Sequence, residues 1–508
     1  MLDRFGALTY AHEPEAGQGH RSWVSPLEGR RVLGPVPEPE IMAASTMRYI
    51  STRGGVQPVG FAEAVMMGLG TDGGLLLPET IPSVGAEELG RWARLGYADL
   101  AVEVMAPFVE PDLTREELTG LVRRSYAGFH HPEITPVVEV GSTPILELFH
   151  GPTAAFKDIA LQFLGNLFDL LLRQSGGRLN ILGATSGDTG SAAIYGVRGK
   201  ERINIFILHP HGRISAVQER QMTTVLDPNV YNVAVEGTFD DAQRIVKALF
   251  NDLEFKRRHS LGAVNSINWA RILAQMVYYF YAWGRVSEGN PGQRVGFSVP
   301  TGNFGDILAG YMAMRMGLPV RRLIIATNRN DILTRFVSTG AYELSEVQAT
   351  LSPAMDIQVS SNFERYLYYL FDEDPEAVEE LMEAMGRDGR IQVAAERLDR
   401  VREVFDAVAV SDAETLDQIR STFRASGYIL DPHTAVGVRA AQQYPDTVCL
   451  ATAHPAKFFD AVRQAIGEEP VIPPPLQGLM EKETRCAVID ARVEAVRAYI
   501  EGALGDSG

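Results

Sequence analysis

The sequence predicts an α/β protein whose sheets are mostly parallel and which begins with a small N-terminal domain. Short, nearly continuous apolar runs such as Leu179–Ala184 and Val295–Val299 alternate with helical segments along most of the chain. Strands that are apolar on both faces are typical of a parallel sheet covered by helices on both sides. Such sheets bind ligands at the carboxyl ends of their strands, and three polar loops follow predicted strands here.

Composition restricts the class of protein. The 508 residues are 45% hydrophobic and 22% charged, with a formal net charge of -17. These values predict a globular chain of roughly two to four domains and argue against a nucleic-acid-binding or membrane-surface protein. Cys449 and Cys486 lie far apart, so we expect no disulfide framework and no metal site. This cysteine usage fits a protein of the reducing cytoplasm. No apolar run reaches the ~18 residues of a membrane span, so we expect no membrane partner.

Four regions follow from periodicity along the chain. Residues 1–46 are rich in glycine, proline and charge, and we expect a poorly ordered extension. Residues 47–131 form the predicted N-terminal domain, residues 132–480 the main domain, and residues 481–508 a C-terminal segment with a helix near Ala487–Glu501.

The N-terminal domain is predicted to contain two helices. Apolar residues at helical spacing place them over Phe61–Leu69 and Glu116–Tyr126. Between them, the apolar run Leu75–Leu77 follows a glycine-rich turn and is ended by Pro78, as expected of a short strand.

The main domain alternates strands and helices. Its predicted strands are Leu179–Ala184, Ile203–Leu208, Val230–Val235, Val295–Val299, Leu323–Ala326 and Val448–Ala451. Its predicted helices include Ile159–Leu172, Asp240–Phe250, Trp269–Trp283 and Ile307–Met314. The acidic region 372–423 interrupts this alternation. It is predicted to be a solvated helical insertion or lid, with helices over Pro375–Met385 and Val393–Val410.

Lys157 is the residue around which the functional hypothesis is built. It ends the sequence HGPTAAFK, directly after Phe156 and at the start of a predicted helix. A helix N-terminus and apolar surroundings both disfavour the ammonium form. An uncharged amine is what Schiff-base chemistry with an aldehyde requires. The alternative is a solvated lysine at a turn, which is where most lysines occur.

Two glycine-containing loops lead from predicted strands into helices. Gly183–Gly190, with the sequence GATSGDTG, offers backbone N–H groups and hydroxyls that suit a carboxylate or phosphate. A plain helix cap is the alternative for this loop. Thr301–Asp306, with the sequence TGNFGD, has glycines at 302 and 305 and is predicted to bind phosphate. It is not a nucleotide-binding P-loop, because no Lys-Ser/Thr pair follows the second glycine.

Three further turns carry candidate polar residues. Thr452 follows the predicted strand Val448–Ala451 and is expected at the carboxyl edge of the sheet. Asn268 and Arg271 open a predicted helix, and Arg271 suits a phosphate or carboxylate, although a surface salt bridge is the simpler alternative. His433 lies in a turn and is either near the site or structural.

Together these motifs resemble those of the threonine synthase family. The set comprises MRYISTRGG, HGPTAAFKD, ATSGDTG, NSINWAR, PTGNFGD, DPHTAVG and TAHPAKF, in chain order. The resemblance runs from about Met47 to the C-terminal region and leaves the extension before Met47 without a role. It implies a pyridoxal-phosphate enzyme of the tryptophan-synthase-β-like fold, fold type II, with two subdomains.

The resemblance also implies roles for individual residues. Lys157 would bind the cofactor covalently and then move protons. The cofactor phosphate would be held by Gly302, Asn303, Phe304 and Gly305, with Asp306 at the helix start. Thr452 would face the pyridine nitrogen, and Asp188 would lie beside the 3′-oxygen, where relatives of the fold carry asparagine. Ser186, Gly187 and Thr189 would receive the substrate carboxylate, and Asn268 and Arg271 the substrate phosphate.

The implied reaction is the conversion of O-phospho-L-homoserine and water to L-threonine and phosphate by γ-elimination and β-addition, the last step of threonine biosynthesis. The implied partner is this small molecule, and the protein is expected to be a monomer or homodimer. Three alternatives stay open: a related phospho-lyase or serine/threonine dehydratase, a cofactor-free binding protein on the same scaffold, and a nucleotide-binding ATPase.

Overall fold

The structure is a computed structural model that describes residues 46–505. The prediction of a poorly ordered extension, apart from residue 46, lies outside the described residues. Residues 46–505 bear out an α/β fold with mostly parallel sheets. Within this part of the chain, no helix is both long and apolar enough to cross a membrane.

The N-terminal domain contains two short paired strands and four helices. Its elements are β1 (Tyr49–Ser51), α1 (Phe61–Met67), β2 (Leu76–Pro78), α2 (Ala86–Trp92), α3 (Tyr97–Val109) and α4 (Arg115–Tyr126). Strands β1 and β2 are antiparallel. A capping box at Thr114 fixes the start of α4, because Thr114 and Glu117 each accept a backbone N–H of the other.

The next part of the chain builds the first strands of both large sheets. Its elements are β3 (Val137–Val140), β4 (Thr143–Glu147), α5 (Lys157–Ser175), β5 (Leu179–Ala184), α6 (Asp188–Val197), β6 (Ile203–Pro210), α7 (Ala216–Thr223), β7 (Val230–Glu236), α8 (Phe239–Asn251), α9 (Leu253–Arg258), β8 (Leu261–Gly262) and α10 (Trp269–Ser287). Helix α10 is buried along almost its whole length, which explains its aromatic and apolar composition.

The remaining chain completes both sheets. Its elements are β9 (Val295–Pro300), α11 (Gly305–Arg315), β10 (Val320–Thr327), α12 (Ile332–Thr339), β11 (Ala341–Glu343), α13 (Phe363–Leu370), α14 (Pro375–Asp388), β12 (Arg390–Gln392), α15 (Ala395–Val404), β13 (Phe405–Ala409), α16 (Asp412–Ser426), α17 (Pro432–Ala441), β14 (Thr447–Ala451), α18 (Phe459–Ile466), β15 (Ala487–Asp490) and α19 (Val493–Leu504).

Two sheets carry the fold. The larger has the strand order β13-β10-β9-β14-β4-β3 and is parallel except for β3, and the smaller has the order β15-β7-β6-β5-β8 and is parallel throughout. In the larger sheet, Cys449 of β14 lies beside Ile145 of β4 and Ser298 of β9. The carboxyl ends of β4, β14 and β9 are therefore neighbours at one edge, where ligands of parallel sheets bind.

The prediction of a helix over Val393–Val410 is wrong in its second half. Helix α15 ends at Val404, and Phe405–Ala409 is a strand that pairs in parallel with β10. The side chain of Phe405 is buried against Phe304 and Tyr366. Region 372–423 is therefore not only a solvated insertion, because it supplies the edge strand of the larger sheet.

The C-terminal segment also differs from the prediction. The predicted helix near Ala487–Glu501 is instead strand β15 followed by α19. Strand β15 pairs in parallel with β7, and Val496 and Ile500 of α19 are fully buried in the core of the smaller sheet. The segment is part of the fold because its strand extends that sheet.

Helices α5 and α6 cross at very short distance. A Cβ added to Gly165 would collide with the backbone carbonyl of Gly196, and a Cβ added to Gly196 would collide with that of Leu161. Both glycines are required by this close approach. Because α5 begins at Lys157 and α6 at Asp188, the crossing brings the two helix starts together.

Candidate active site

The segment before Lys157 is joined to the turn that follows β14. The N–H of Phe156 donates to the carbonyl of Thr452 at 2.8 Å, and the N–H of His454 donates to the carbonyl of Ala154 at 3.1 Å. These bonds place the start of α5 and the carboxyl end of β14 side by side. Lys157 and Thr452, which are separated by almost three hundred residues in the sequence, thus lie on adjoining turns.

Lys157 is largely buried and faces charges of both signs. Its side chain is 12% exposed, and its Nζ lies 3.5 Å from Oδ2 of Asp188 and 5.1 Å from the centre of the Phe156 ring. Burial lowers the pKa of the Lys157 amine, Asp188 raises it, and the cations Lys457 and Arg271 lower it further. The net direction is downward, which favours the uncharged amine that was predicted.

Asp188 is the centre of a charge cluster that sequence reasoning did not foresee. Its Oδ1 accepts from Nζ of Lys457 at 2.8 Å and from Nε2 of Gln218 at 2.9 Å. Lys457 is fully buried and also donates to the carbonyl of Thr153 at 2.8 Å. Burial opposes ionisation of Asp188, but Lys457 and Lys157 outweigh it and hold the pKa of this carboxyl well below its ordinary range.

The signal for Lys457 was present in the sequence, because it lies in the TAHPAKF motif. Nothing in that motif shows that its lysine turns inward, since a short 3₁₀ turn at Pro455–Lys457 decides the direction. Gln218 belongs to no motif, and only the packing of α7 beside α6 brings it to the cluster.

The loop between β5 and α6 is held by Thr185. Its Oγ1 accepts from the N–H groups of Gly187 at 3.0 Å and Gly190 at 2.9 Å. Gly187 has φ 142°, which favours glycine. Ser186 is exposed and Thr189 half-buried, so both predicted carboxylate ligands are reachable, whereas the missed Thr185 shapes the loop.

The turn between β9 and α11 forms a cup at a helix N-terminus. Phe304 has φ 61°, an uncommon conformation outside glycine, and its ring packs into the aromatic core. A Cβ on Gly302 would lie 2.8 Å from the carbonyl oxygen of Ala354. A Cβ on Gly305 would lie 3.2 Å from Nδ2 of Asn362. The first N–H groups of α11 have no partner within the helix and suit an anion.

Residues 360–362 hold this cup from outside, and the sequence did not indicate them. Ser360 donates to the carbonyl of Gly302 at 2.7 Å. Asn362 donates to the carbonyl of Asn303 through its backbone N–H at 3.0 Å and through Nδ2 at 3.2 Å. The side chain of Asn303 is exposed, and its Oδ1 accepts from Ser361 at 3.3 Å.

Asp306 lies in the first turn of α11 and faces α10. Its Oδ1 accepts from the hydroxyls of Tyr278 at 2.6 Å and Tyr279 at 3.0 Å. Its other oxygen is buried and has no hydrogen-bond partner among the described residues. Burial raises the pKa of Asp306 to about 6, although the two tyrosines lower it. Its predicted part in cofactor binding stays a prediction.

Arg271 and Asn268 lie at the start of α10 but differ in what they offer a ligand. Arg271 is 4% exposed, and within residues 46–505 its Nε and Nη1 have no hydrogen-bond partner. Burial lowers its pKa to about 10, so it stays charged at neutral pH. Both amide atoms of Asn268 are engaged, since Oδ1 accepts from the N–H of Ala270 and Nδ2 donates to the carbonyl of Val65. Its predicted role in substrate binding stays untested.

A buried polar chain runs behind Thr452. The N–H of Thr452 donates to the hydroxyl of Thr434, which in turn donates to Asp431. The other oxygen of Asp431 bonds Nδ1 of His433 at 2.8 Å, and Nε2 of His433 accepts from the N–H of Ala354. His433 is therefore structural and links the Thr452 turn to the segment against Gly302.

The described residues fit pyridoxal phosphate. An amine with a lowered pKa suits its aldehyde, a glycine turn at a helix start suits its phosphate, and a hydroxyl at the end of β14 suits its ring nitrogen. The Nε and Nη1 groups of Arg271, which have no hydrogen-bond partner among the described residues, provide a further anion-binding position.

Comparison with protein families assigns most of the chain. Residues 48–126 match the model of the threonine synthase N terminus, residues 145–452 that of pyridoxal-phosphate-dependent enzymes, and residues 434–500 that of the threonine synthase C-terminal region. The matched regions include each of the site residues described above, the whole smaller sheet, and the larger sheet apart from β3 and the first residues of β4.

Individual proteins agree with these matches. The threonine synthase of Pseudomonas aeruginosa is 50% identical over 89% of this chain and 98% of its own length, and that of Schizosaccharomyces pombe is 47% identical over 87% and 95%. The structure of threonine synthase from Brucella melitensis with bound pyridoxal phosphate is 46% identical, with a TM-score of 0.88 over 90% of this chain and 99% of that one. Yeast threonine synthase gives a TM-score of 0.87 at 46% identity, over 91% and 99%.

Proposed function

We propose that this chain, which belongs to the threonine synthase family, converts O-phospho-L-homoserine and water to L-threonine and phosphate with Lys157 as the reacting amine. It is a pyridoxal-phosphate-dependent lyase of fold type II that acts on a small molecule, as the comparisons predict. The substrate and the roles of individual residues are the proposal.

One observation carries the assignment of Lys157. Its amine is largely buried at the carboxyl edge of the larger sheet, between Asp188 and the cations Lys457 and Arg271. That environment disfavours the ammonium form and favours attack on an aldehyde. A lysine that only capped a turn would be expected to have its amine exposed to solvent.

Binding is divided between separate anion positions. The turn Gly302–Gly305, with the N-terminus of α11, would hold the cofactor phosphate, and Thr452 would face the ring nitrogen. Ser186, Gly187 and Thr189 hold the substrate carboxylate at the start of α6. Arg271 pairs with the substrate phosphate through its Nε and Nη1 groups, which have no other partner in the part of the chain that the structure describes.

When bound, pyridoxal phosphate supplies an aldehyde for amines and a conjugated ring that accepts electrons from the carbon beside the substrate amine. Once free of the cofactor, Lys157 would remove the α-proton, help to remove a β-proton, and return one proton to the γ-carbon after phosphate has left and one to the α-carbon. Arg271 stabilises the phosphate as it leaves from the γ-carbon. A hydroxyl from Thr452 does not hold the ring nitrogen protonated as a carboxylate would, so the electron sink is mild.

Water must be kept out until it adds to the β-carbon, which requires the cleft to close around the substrate. We propose that the N-terminal domain and residues 147–233 flank this cleft. Slower proteolysis of these regions with substrate bound would support closure, and an unchanged digestion pattern would count against it.

Product identification tests the reaction. Purified protein incubated with pyridoxal phosphate and O-phospho-L-homoserine should release one phosphate for each threonine formed. Lys157→Ala should lose this turnover together with the visible absorbance band of the lysine–cofactor linkage. Phosphate release without threonine would instead indicate the phospho-lyase or dehydratase alternative, which the family comparisons do not favour.

We also propose the domain limits 47–131 and 132–480, a cytoplasmic location, and a monomeric or homodimeric state. The pairing of β1 with β2 supports the limit at residue 131. The smaller sheet crosses the limit at residue 480, because it includes β15. Sedimentation of the purified protein tests the oligomeric state.

A further inference from the structure

Lys457 is buried and charged, and neither the motif roles nor the proposed reaction gives it a task. A fully buried ammonium needs a partner to offset its desolvation, and Asp188 at 2.8 Å provides one. The carbonyl of Thr153, also at 2.8 Å, takes a second N–H. This pairing fixes the carboxylate that also faces the reacting amine, Lys157.

The two oxygens of Asp188 are unequally occupied. Oδ1 receives Lys457 and Gln218 at 2.8 and 2.9 Å, whereas Oδ2 is 3.5 Å from Lys157, the outer limit of a hydrogen bond. A carboxylate without its stronger partner would turn to the remaining cation. A close ion pair with Asp188 would hold Lys157 protonated and unreactive.

We propose that Lys457 is a positioning residue that keeps Asp188 from forming a close ion pair with Lys157, so that the amine at position 157 stays uncharged. This inference rests on the proposed role of Lys157. Lys457 favours the uncharged form of Lys157 in two ways. It binds the carboxylate of Asp188, and its positive charge directly disfavours a proton on Lys157.

The other charges around the cluster are accounted for. Lys157 is faced by Asp188 of α6, Lys457 of the turn after β14 and Arg271 of α10. Lys457 is also near Asp158, whose pKa burial raises to about 6 even though two bonds from Thr153 lower it. Burial lowers the pKa of the nearby His454 to about 4, so it is neutral at physiological pH.

The test is the pH dependence of the visible spectrum of the holoenzyme without substrate. The absorbance of the lysine–cofactor linkage reports protonation of the Lys157 nitrogen. Lys457→Met should raise the pH midpoint of this spectral transition by about one unit or more, and Asp188→Asn should lower it by a similar amount. A purely structural role for Lys457 would lower the melting temperature without this pair of opposite shifts.

Gln218→Leu is the matched control, because it removes a neutral donor from the same oxygen of Asp188. We expect its midpoint to stay close to that of the unaltered protein. If Lys457→Met does not fold, Lys457→Gln removes the charge while keeping a donor for Asp188, and the same rise is expected. An unchanged or lowered midpoint in the folded Lys457 variant overturns the inference.

Failure of this inference differs from failure of the proposed function. If Lys157→Ala removes the visible band but Lys457 variants leave the midpoint unchanged, Lys157 keeps its role and Lys457 has no electrostatic one. If the band persists in Lys157→Ala, another lysine binds the cofactor and both proposals are wrong.

Discussion

Single residues at this site owe their chemistry to burial combined with one or two charges. Lys157 and Lys457 both have very little exposed surface, but they differ in their contact with Asp188. Asp188 forms its short ion pair with Lys457, whereas burial lowers the pKa of Lys157. Asp188 is shared unequally, so one amine is left to react while the other acts as a counter-ion. This division depends on distances of a few tenths of an ångström, because charge interactions in a desolvated site are strong.

Asp306 makes a prediction about stability and pH. Its pKa is about 6 in the folded protein against an ordinary value of 3.8, so the folded state binds the proton more tightly. The stability it contributes is therefore present at pH 4 and is lost as the pH rises through 6. We expect unfolding measurements of Asp306→Asn to lack this loss. Between pH 4 and pH 7 the stability of the variant should therefore rise by about 2 kcal/mol relative to that of the unaltered protein.

The control for this prediction is Asp240→Asn, an exposed residue of α8. It removes an exposed acid and leaves Asp306 in place, so the loss of stability attributed to Asp306 should persist in this variant. Parallel pH profiles for Asp306→Asn and the unaltered protein would show that Asp306 is not buried as an acid.

Arg271 makes a prediction about substrate binding. Arg271→Met keeps the volume of a buried side chain but removes the Nε and Nη1 groups, which have no partner within residues 46–505. Lost hydrogen bonds to a charged group cost about 1.5–3 kcal/mol, so KM for O-phospho-L-homoserine should rise by about 10- to 100-fold. Steady-state kinetics of phosphate release measure this change.

Arg285→Met, at the other end of the same helix, is the comparison for Arg271. Arg285 stacks on Tyr281 and donates to two backbone carbonyls of the N-terminal domain, so its loss should leave KM unchanged. An unchanged KM in Arg271→Met would mean that the substrate phosphate binds elsewhere.

At the scale of elements, the site is positioned by where helices begin. Helices α5, α6, α10 and α11 start at or within three residues of a candidate site residue. Their free N–H groups and positive ends suit a cofactor and a substrate that each carry phosphate. The close crossing of α5 and α6 keeps two of these starts at a fixed separation, because glycines at 165 and 196 allow backbone contact.

Gly165→Ala tests that crossing. The added methyl would collide with the carbonyl of Gly196, which cannot move without shifting α6. We expect a loss of at least about 1–3 kcal/mol in the free energy of unfolding, together with weaker cofactor retention. Gly502→Ala in α19 is the matched control, since among residues 46–505 an added Cβ there meets nothing within 4 Å, and the variant should gain up to about 1 kcal/mol in the free energy of unfolding. Equal effects of the two substitutions would show that helix propensity, not the crossing, matters.

At the scale of the whole molecule, the N-terminal domain contacts helix α13, which follows the residues that support the cup between β9 and α11. Arg53 and Thr52 both contact Glu364, with the ion pair at 2.9 Å and the hydroxyl at 2.6 Å. Arg365, fully buried, donates to the carbonyls of Leu76 and Ile267. Helix α13, which carries both residues, directly follows the residues that hold Gly302 and Asn303.

Glu364→Gln tests this connection. It leaves Arg53 without its charged partner in a largely buried position, which should cost about 1–3 kcal/mol in the free energy of unfolding. Amide hydrogen exchange in β1 and β2 should become faster than in the two large sheets. Glu373→Gln, whose ion pair with Arg315 is about half-exposed, should cost less than about 1 kcal/mol. If exchange in β1 and β2 is unaffected by Glu364→Gln, the ion pair does not hold the domain.

Local sequence was sufficient for much of the fold and for the site loops. Strand β5 was predicted at its observed ends, and the strand-loop-helix units at 183–190 and 301–306 appear where expected. Periodicity and glycine placement depend only on residues close together in the chain, so they predict local structure without knowledge of the fold. Periodicity gives the wrong result at Phe405–Ala409. It predicts that the preceding helix continues through this apolar run, but the run is a strand that pairs with β10.

The sequence by itself determined the α/β class, the family and the motifs that place Lys157, Gly302–Gly305 and Thr452 at strand ends. Only the tertiary structure decided that Lys457 faces inward to Asp188, that Gln218 joins it, and that Ser360–Asn362 support the cup. The reason is physical: these contacts join segments that are far apart in the chain, and their strength comes from desolvation that exists only when the two sheets and their helices are packed together.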